Sequence, residues 1–355
     1  MKKVFNLFNI YTYLMIDQYF EVYPKKIEKV LSDFFKMKKE NCKNENIKNI
    51  IEKIEEYTLR GGKRIRPVLM IFGYKLFHGK NIEEIIKTAA SLELVQSYLL
   101  IHDDIIDESL LRRGKPTIHK TLEKEYNDKK IGVDLSIIAG DLADSYSVEL
   151  INNSDFDEKL KYKAIIKLSE IIEYTGYGQV LDILSVFQTD NLEENLLLIH
   201  KYKTAKYTIE GPLILGGLLA GGTDFELISK YAINVGIAFQ LQDDILGLFG
   251  DEKTLGKPVI SDLEEGKKTL LIIKMLENAS AEEQKKISKI LGSKNISFTD
   301  LKYVQDLAVK SGALKYSQDM SERLVAQAIN AIKDLEAPEK EFLVEFANYV
   351  ISRKF

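Results

Sequence analysis

The chain has no tryptophan, one cysteine, six prolines and four histidines in 355 residues. A lone thiol, Cys42, cannot build an intrachain disulfide framework, which excludes the small stapled scaffolds and fits a reducing compartment such as the cytoplasm. His78, His102, His119 and His200 show no zinc-ligand spacing. Long apolar runs are lacking as well: no segment approaches the ~18 to 20 uninterrupted apolar residues of a membrane span. No Ser/Gly linker, repeat or low-complexity tract divides the chain, although 38–48 is polar enough to act as a connection. The formal net charge of −4 gives no support to nucleic-acid binding. Overall acidity does not exclude anionic substrates, because local cations in a cleft dominate the field there.

What is present is apolar material for a core, 45% hydrophobic residues beside 29% charged ones. The dominant period is helical. Apolar residues recur at three- and four-residue intervals over 85–106, 160–174, 231–248, 269–276 and 301–335, too long for strands, while alternating patterns with hairpin turns are scarce. This predicts an all-α fold, a single large helical bundle around a central apolar cavity. The start, Met1-Lys2-Lys3 and then an apolar run broken by asparagines, has no small-residue cleavage site and is read as not secretory. A more ordinary amphipathic pattern begins at Met15, so 1–14 is taken as an N-terminal extension and 15–355 as one domain. Four prolines, Pro67, Pro116, Pro212 and Pro258, lie in or beside segments rich in Lys, Arg or Gly, the punctuation expected of ligand-holding loops.

Two acidic clusters sit inside apolar helical frames: Leu100-Ile101-His102-Asp103-Asp104-Ile105-Ile106-Asp107 and Phe239-Gln240-Leu241-Gln242-Asp243-Asp244-Ile245-Leu246. Asp103 and Asp107 are spaced i, i+4, so their carboxylates share a helix face. Such a face repels itself unless cations occupy it, and carboxylate oxygens are the hard ligands Mg²⁺ prefers, together with substrate phosphates. Two such faces across a cavity would clamp a diphosphate. A helix cap or a solvated pair is the bland reading of a single Asp doublet. It fits poorly here, since both doublets lie deep in apolar stretches where an unpaired charge is costly. Neither has the Asp spacing and central Gly of an EF-hand.

Basic segments supply the anion-binding half. Gly61-Gly62-Lys63-Arg64-Ile65-Arg66-Pro67 combines backbone amides with three cations. It is not a P-loop, which would need Gly at Tyr57 and Ser or Thr at Arg64. Arg112-Arg113-Gly114-Lys115-Pro116 follows the first acidic cluster, and Lys203-Thr204, Lys206, Lys257 and Lys267-Lys268 come later. Singly, each pair is a solvated surface group; their company with two acidic helices changes the odds.

With these motifs the chain resembles the trans-prenyltransferases, the isoprenyl diphosphate synthases, from about Met15 onward. The matching segments run in order: Gly61 to Pro67, Glu93 to Asp107, Arg112 to Gly114, Gly178-Gln179 with Asp182, Lys203-Thr204, Phe239 to Asp244, and Gly256-Lys257-Pro258 leading to Asp262 and Gly266-Lys267-Lys268-Thr269. Two residues rather than four separate Asp104 from Asp107, which is similar to archaeal short-chain geranylgeranyl and farnesyl diphosphate synthases. The resemblance implies two or three Mg²⁺ ions held by Asp103, Asp107 and Asp243, with Asp244 a weaker candidate because the motif's last position is Gly247. It implies that Gly62, Lys63, Arg66, Gln96 and Arg113 hold isopentenyl diphosphate and that Arg112, Lys257 and Lys267 bind around the allylic diphosphate. Lys203, Thr204 and Gln240 would act catalytically beside the developing carbocation. It further implies a homodimer, and Tyr98 and Leu99 as the determinants of chain length.

Tyr98 lies five residues before Asp103, roughly 7.5 Å down the helix, where the resembling archaeal enzymes carry an aromatic floor. Leu99 is mid-sized where farnesyl-limited relatives tend to be aromatic. The expected product is geranylgeranyl diphosphate (C20), with farnesyl diphosphate (C15) or a mixture as the alternative. Of the other classes, a terpene cyclase needs no second diphosphate site, and a catalytically silent modulating subunit should have lost some of these groups.

Overall fold

A computed structural model describes residues 2–250 and 259–353, without the side chains at 2–15, 17 and 261. The described chain is helical apart from one antiparallel pair of two-residue strands, β1 (Leu111–Arg112) and β2 (Lys115–Pro116). The all-α expectation is met. Contacts divide the chain into two compact units, Met1–Leu168 with Pro212–Asp224, and Ser169–Gly211 with Phe225–Phe355.

The first unit contains α1 (Lys2–Glu40), α2 (Glu45–Thr58), α3 (Ile65–Leu76), α4 (Ile82–Ala89), α5 (Ser91–Ile106), α6 (Ile118–Tyr126) and α7 (Lys129–Asn152). The backbone of α1 continues through Met15 without a break. Asn44 caps α2 by accepting from the amides of Asn46 and Ile47. The three- and four-residue spacing of Ile50, Ile54 and Tyr57 then carries the tyrosine into the core. Pro67 is buried in the first turn of α3, not in a loop. Its missing N–H costs nothing there, because first-turn amides have no intrahelical acceptor. Pro212 sits at the second position of α10 (Gly211–Leu219), which continues directly from the helical stretch 200–210.

Small residues decide which helices approach closely. A Cβ on Gly73 would lie 2.2 Å from the Leu213 carbonyl, and one on Gly216 2.0 Å from that of Met70, so α3 and α10 touch backbone to backbone. Adding a methyl at either place forces backbone apart, at a cost of about 1 to 3 kcal/mol or more. Along α7 the buried residues are Gly132, Ser136, Ala139, Gly140, Ala143, Ser147 and Ile151, all small but the last. That stripe recurs at three and four residues and gives α5 and α6 a shallow surface to pack on.

The stretch 85–106 is two helices, α4 and α5, joined at Ala90, and 301–335 likewise divides at Ser311 and Gly312. Gly312 has φ +79°, open to glycine and strained for other residues.

In the second unit, α8 (Glu158–Leu184), which crosses the boundary at Ser169, leads to α9 (Leu192–Ile199) and then to an eleven-residue π-helix, His200–Glu210. The central helix is α11 (Glu226–Phe249). Gly236 lets it approach the π-helix, since a Cβ there would be 2.4 Å from Cα of Ala205. Tyr231 on α11 is fully buried and donates its hydroxyl to the Leu343 carbonyl at 2.6 Å. Without that bond the buried hydroxyl would cost about 1 to 3 kcal/mol.

Candidate active site

The last turn of α5 carries the first acidic motif. Asp103 and Asp107 are half-buried, and Asp107 ends the helix with its amide donating to the Asp103 carbonyl at 2.8 Å. Asp104, between them, points inward and is 1% exposed. Tyr57 donates to its Oδ2 at 2.6 Å, and Arg112 reaches its Oδ1 with Nε at 2.8 Å and Nη2 at 2.5 Å. Burial, and then the Asp104 charge, hold the Tyr57 phenol well above its usual range. Asp104 therefore binds the β1–β2 turn and α2 to the end of α5. Arg112, expected at the allylic diphosphate, is oriented by that clamp with Nη2 also 3.7 Å from Asp103 Oδ2.

The basic loop resolves into different jobs. Arg64 is buried, with φ +51°, and pairs with Glu93 and, at 3.2 Å, with Glu28. It is structural. Lys63 and Gly62 are exposed and Arg66 is half-buried. Arg113, in the β1–β2 turn, donates to the Gly61 carbonyl, and a Cβ on Gly62 would be 3.1 Å from its Nη2. Loss of water, together with the charges of Arg64 and Arg66, holds Arg113 below the usual arginine range, with Glu93 opposing. A concentration of positive charge of this kind is relieved by a bound anion. Gln96 is half-buried on α5, seven residues and so about two turns before Asp103, on the same face.

The two chain-length candidates occupy different faces. At about 100° per residue, Leu99 lies about 40° round α5 from Asp103, whereas Tyr98 lies about 140° away. Tyr98 is half-buried, and its ring meets His102 edge-on with centroids 5.0 Å apart. Burial, followed by the charges of Asp144 and Asp141 on α7, raises its phenol above the ordinary range.

In the second unit the acidic motif lies on α11. Asp243 accepts from Arg353 Nη1 at 2.7 Å; the same guanidinium lies 4.2 Å from the Phe239 ring centroid and donates to the Phe239 carbonyl at 3.2 Å. The Phe239 ring is thus covered by Arg353. Thr204 donates to Gln240 Oε1 at 2.9 Å, Gln240 Nε2 donates to Asp244 Oδ1 at 2.9 Å, and His200 Nε2 lies 3.4 Å from Asp244 Oδ2. The chain of bonds fixes the amide and leaves the Thr204 oxygen able to face positive charge. Lys203 Nζ donates to Asp182 Oδ2 at 2.6 Å. Its backbone packs where a Cβ on Gly178 would be 2.4 Å from the Lys203 amide nitrogen.

Gly247 faces the Asp262 side chain. A Cβ there would stand 2.3 Å from Asp262 Oδ2. Asp262, Lys267, Asp244 and Thr269 line a small recess with Gly247, and Lys267 Nζ is 3.9 Å from Asp262 Oδ1 and 2.6 Å from Glu265 Oε2. Lys268 instead donates to the carbonyls of Ser185, Val186 and Gln188. Lys257 lies outside the described residues. Among the described residues no group of three His, Cys, Asp or Glu side chains is arranged to hold a metal, and no helix is long and apolar enough to cross a membrane.

The sequence did not reveal Tyr57, His200 or Arg353. Each lies far along the chain from the aspartate it touches and belongs to no short motif, so only folding brings them together. The π-helix is equally silent, since its apolar spacing differs little from that of an α-helix over three turns.

A family model described as polyprenyl synthetase matches residues 48–308. The chain belongs to that family. This polyprenyl synthetase is 33% identical over 321 residues to a geranylgeranyl diphosphate synthase of Saccharolobus solfataricus, covering 88% of this chain and 93% of the relative. It is 35% identical over 302 residues to a geranylfarnesyl diphosphate synthase of Aeropyrum pernix, covering 82% and 91%. Its fold is similar to the crystal structure of a Corynebacterium glutamicum geranylgeranyl pyrophosphate synthase complexed with isoprenyl diphosphate and magnesium, with a TM-score of 0.87, 30% identity, and coverage of 94% and 99%. The polyprenyl synthetase is a prenyltransferase with an all-α fold.

Proposed function

We propose that this prenyltransferase condenses isopentenyl diphosphate with an allylic diphosphate, using Mg²⁺, and releases geranylgeranyl diphosphate as its main product. The observation that carries the reading is the division of labour within each Asp doublet: one carboxylate is anchored inward while its neighbour stays accessible. Asp103, Asp107 and Asp243 offer only oxygen donors, the set that suits Mg²⁺ bound by one or two carboxylates and completed by substrate phosphates. Bound there, Mg²⁺ would offset the negative charge developing on the departing diphosphate.

The remaining roles fall to the chain. Lys63, Arg66 and Arg113, with the Gly62 backbone and Gln96, hold isopentenyl diphosphate. Arg112, Lys203, Lys257 and Lys267 hold the allylic diphosphate and favour ionisation of its C–O bond by meeting charge on the leaving oxygen. The Thr204 hydroxyl and the Gln240 carbonyl, fixed by Asp244 and His200, present electron density to the allylic cation. The isopentenyl double bond then attacks, and loss of a proton, which the released diphosphate can accept, completes the step. Apolar walls keep water from the cation. Tyr98 limits the growing tail, and the smaller Leu99 leaves room for C20.

The catalytic domain is taken as 15–355, both units included, in a cytoplasmic enzyme. An exposed apolar strip on α8, Val180, Ile183 and Leu184, followed by Phe187 at 80% exposure, supports a homodimer. Incubation with isopentenyl diphosphate, each allylic primer and Mg²⁺, followed by chromatography of the dephosphorylated alcohols, tests the reading. A C20 alcohol is expected. A cyclic hydrocarbon, or inertness unless a second protein is added, would overturn it.

A further inference from the structure

Tyr98 and His102 are one turn apart on α5, and their rings meet edge-on at 5.0 Å and 75°. The far side of the imidazole rests on α7. A Cβ on Gly140 would stand 2.3 Å from His102 Nε2 and 2.6 Å from Cδ2, so the ring occupies the space that any side chain at 140 would need. The same nitrogen is 3.1 Å from the Ile137 carbonyl and 3.7 Å from Asp141 Oδ1. The imidazole is therefore fixed on one side by backbone and supports Tyr98 on the other. A free aromatic side chain could swing about its first torsion; one with a fixed ring against its edge loses that freedom.

The geometry points to His102, seated on Gly140, as a positioning residue for product length: it acts by holding the Tyr98 ring in the path of the prenyl tail. This rests on the proposed reading of Tyr98 as the floor of the pocket. His102 itself need not touch the tail. Gly140 becomes part of the same device although it lies on another helix and has no side chain, because it supplies the seat.

The test uses the full-length enzyme at fixed, saturating Mg²⁺ and substrates, with product length read by chromatography of the alcohols. Those conditions separate a change in length from a change in rate. His102→Ala removes the support and should raise the share of products longer than the wild type's main product several-fold. His102→Phe, which keeps a ring at that place, should return the profile toward wild type. Gly140→Ala displaces the imidazole and should also alter the profile. In a Tyr98→Ala background neither His102→Ala nor Gly140→Ala should shift the profile further. If Tyr98→Ala lengthens products while His102→Ala leaves them unchanged, or if the two changes add independently, the positioning role is wrong. If Tyr98→Ala itself leaves the profile unchanged, the floor reading fails first and this inference with it.

Discussion

The two Asp doublets share the sequence Asp-Asp-Ile yet are held in place by opposite means. In the first unit, Asp104 is 1% exposed and clamped by a cation and a phenol, Arg112 and Tyr57. In the second, Asp244 is 11% exposed and is met by the neutral Gln240 amide and by His200. Their outward neighbours differ in the reverse sense. Asp103 is 22% exposed and 3.7 Å from Arg112, whereas Asp243 is 38% exposed and ion-paired with Arg353 at 2.7 Å. The third position differs again: Asp107 has a carboxylate, while Gly247 yields its space to the Asp262 carboxylate. A doublet on an apolar helix thus holds its two carboxylates differently, one anchored inward and one more exposed.

The largest expected effect concerns the presented carboxylates. Asp103→Asn or Asp107→Asn should lower turnover on the order of 10³-fold with the fold intact by circular dichroism. Retention of near wild-type rates at limiting Mg²⁺ would show that the outward carboxylates do not capture metal. The Asp243→Asn variant should fall in the same range if the motifs are functionally equivalent, and measurably less if the first motif dominates.

The anchors separate in stability. Asp104→Asn leaves Arg112 without its buried counter-charge and should cost about 2 to 3 kcal/mol, less than a fully buried pair because Arg112 keeps some solvent. Asp244→Asn keeps an acceptor for the Gln240 amide and should cost about 1 kcal/mol. Urea unfolding measures both. Equal losses, or the reverse order, would break the comparison between the arginine clamp and the amide one.

Kinetics should sort the cations by unit. Lys63→Ala and Arg66→Ala should mainly raise KM for isopentenyl diphosphate, about tenfold, while Lys203→Ala should mainly slow ionisation of the allylic substrate. Steady-state assays with each substrate varied in turn decide it, and equal effects of all three on both substrates would remove the assignment. The smallest effect is expected at Arg353. Its pair with the partly exposed Asp243 is worth at most about 1 kcal/mol. Arg353→Ala should therefore lower the Mg²⁺ concentration for half-maximal rate by no more than about fivefold. A rise would mean that Arg353 helps hold substrate and does not simply compete at Asp243.

Several of these distinctions were visible in the chain and others were not. The i, i+4 spacing of Asp103 and Asp107 identifies a shared helix face, because spacing on a helix is a local property. The same reasoning treats Lys63, Arg64 and Arg66 alike, yet Arg64 is consumed by Glu28 and Glu93, acids 36 and 29 residues away. Helix content was legible from apolar period, but the breaks at Ala90 and at Ser311-Gly312 were not, since apolar spacing continues across both. Pro67 suggested a loop and proved to lie in a first turn, where proline is tolerated, whereas Pro212 lies where the π-helix runs on into α10. Tyr98 was singled out from its distance along α5. That it leans on His102 and Gly140 required α7 to be in place.

The sequence by itself determined the helical class, the acidic faces, the loops rich in cations and the family, because each is written in residue types at short, fixed separations. Tertiary structure alone decided which aspartate of each doublet is anchored and which arginine is structural. It also decided what stands beside position 247 and what Tyr98 leans on. Those outcomes depend on partners from distant segments, and whether a charge is buried with one or presented to solvent is set by packing, not by its neighbours in the chain.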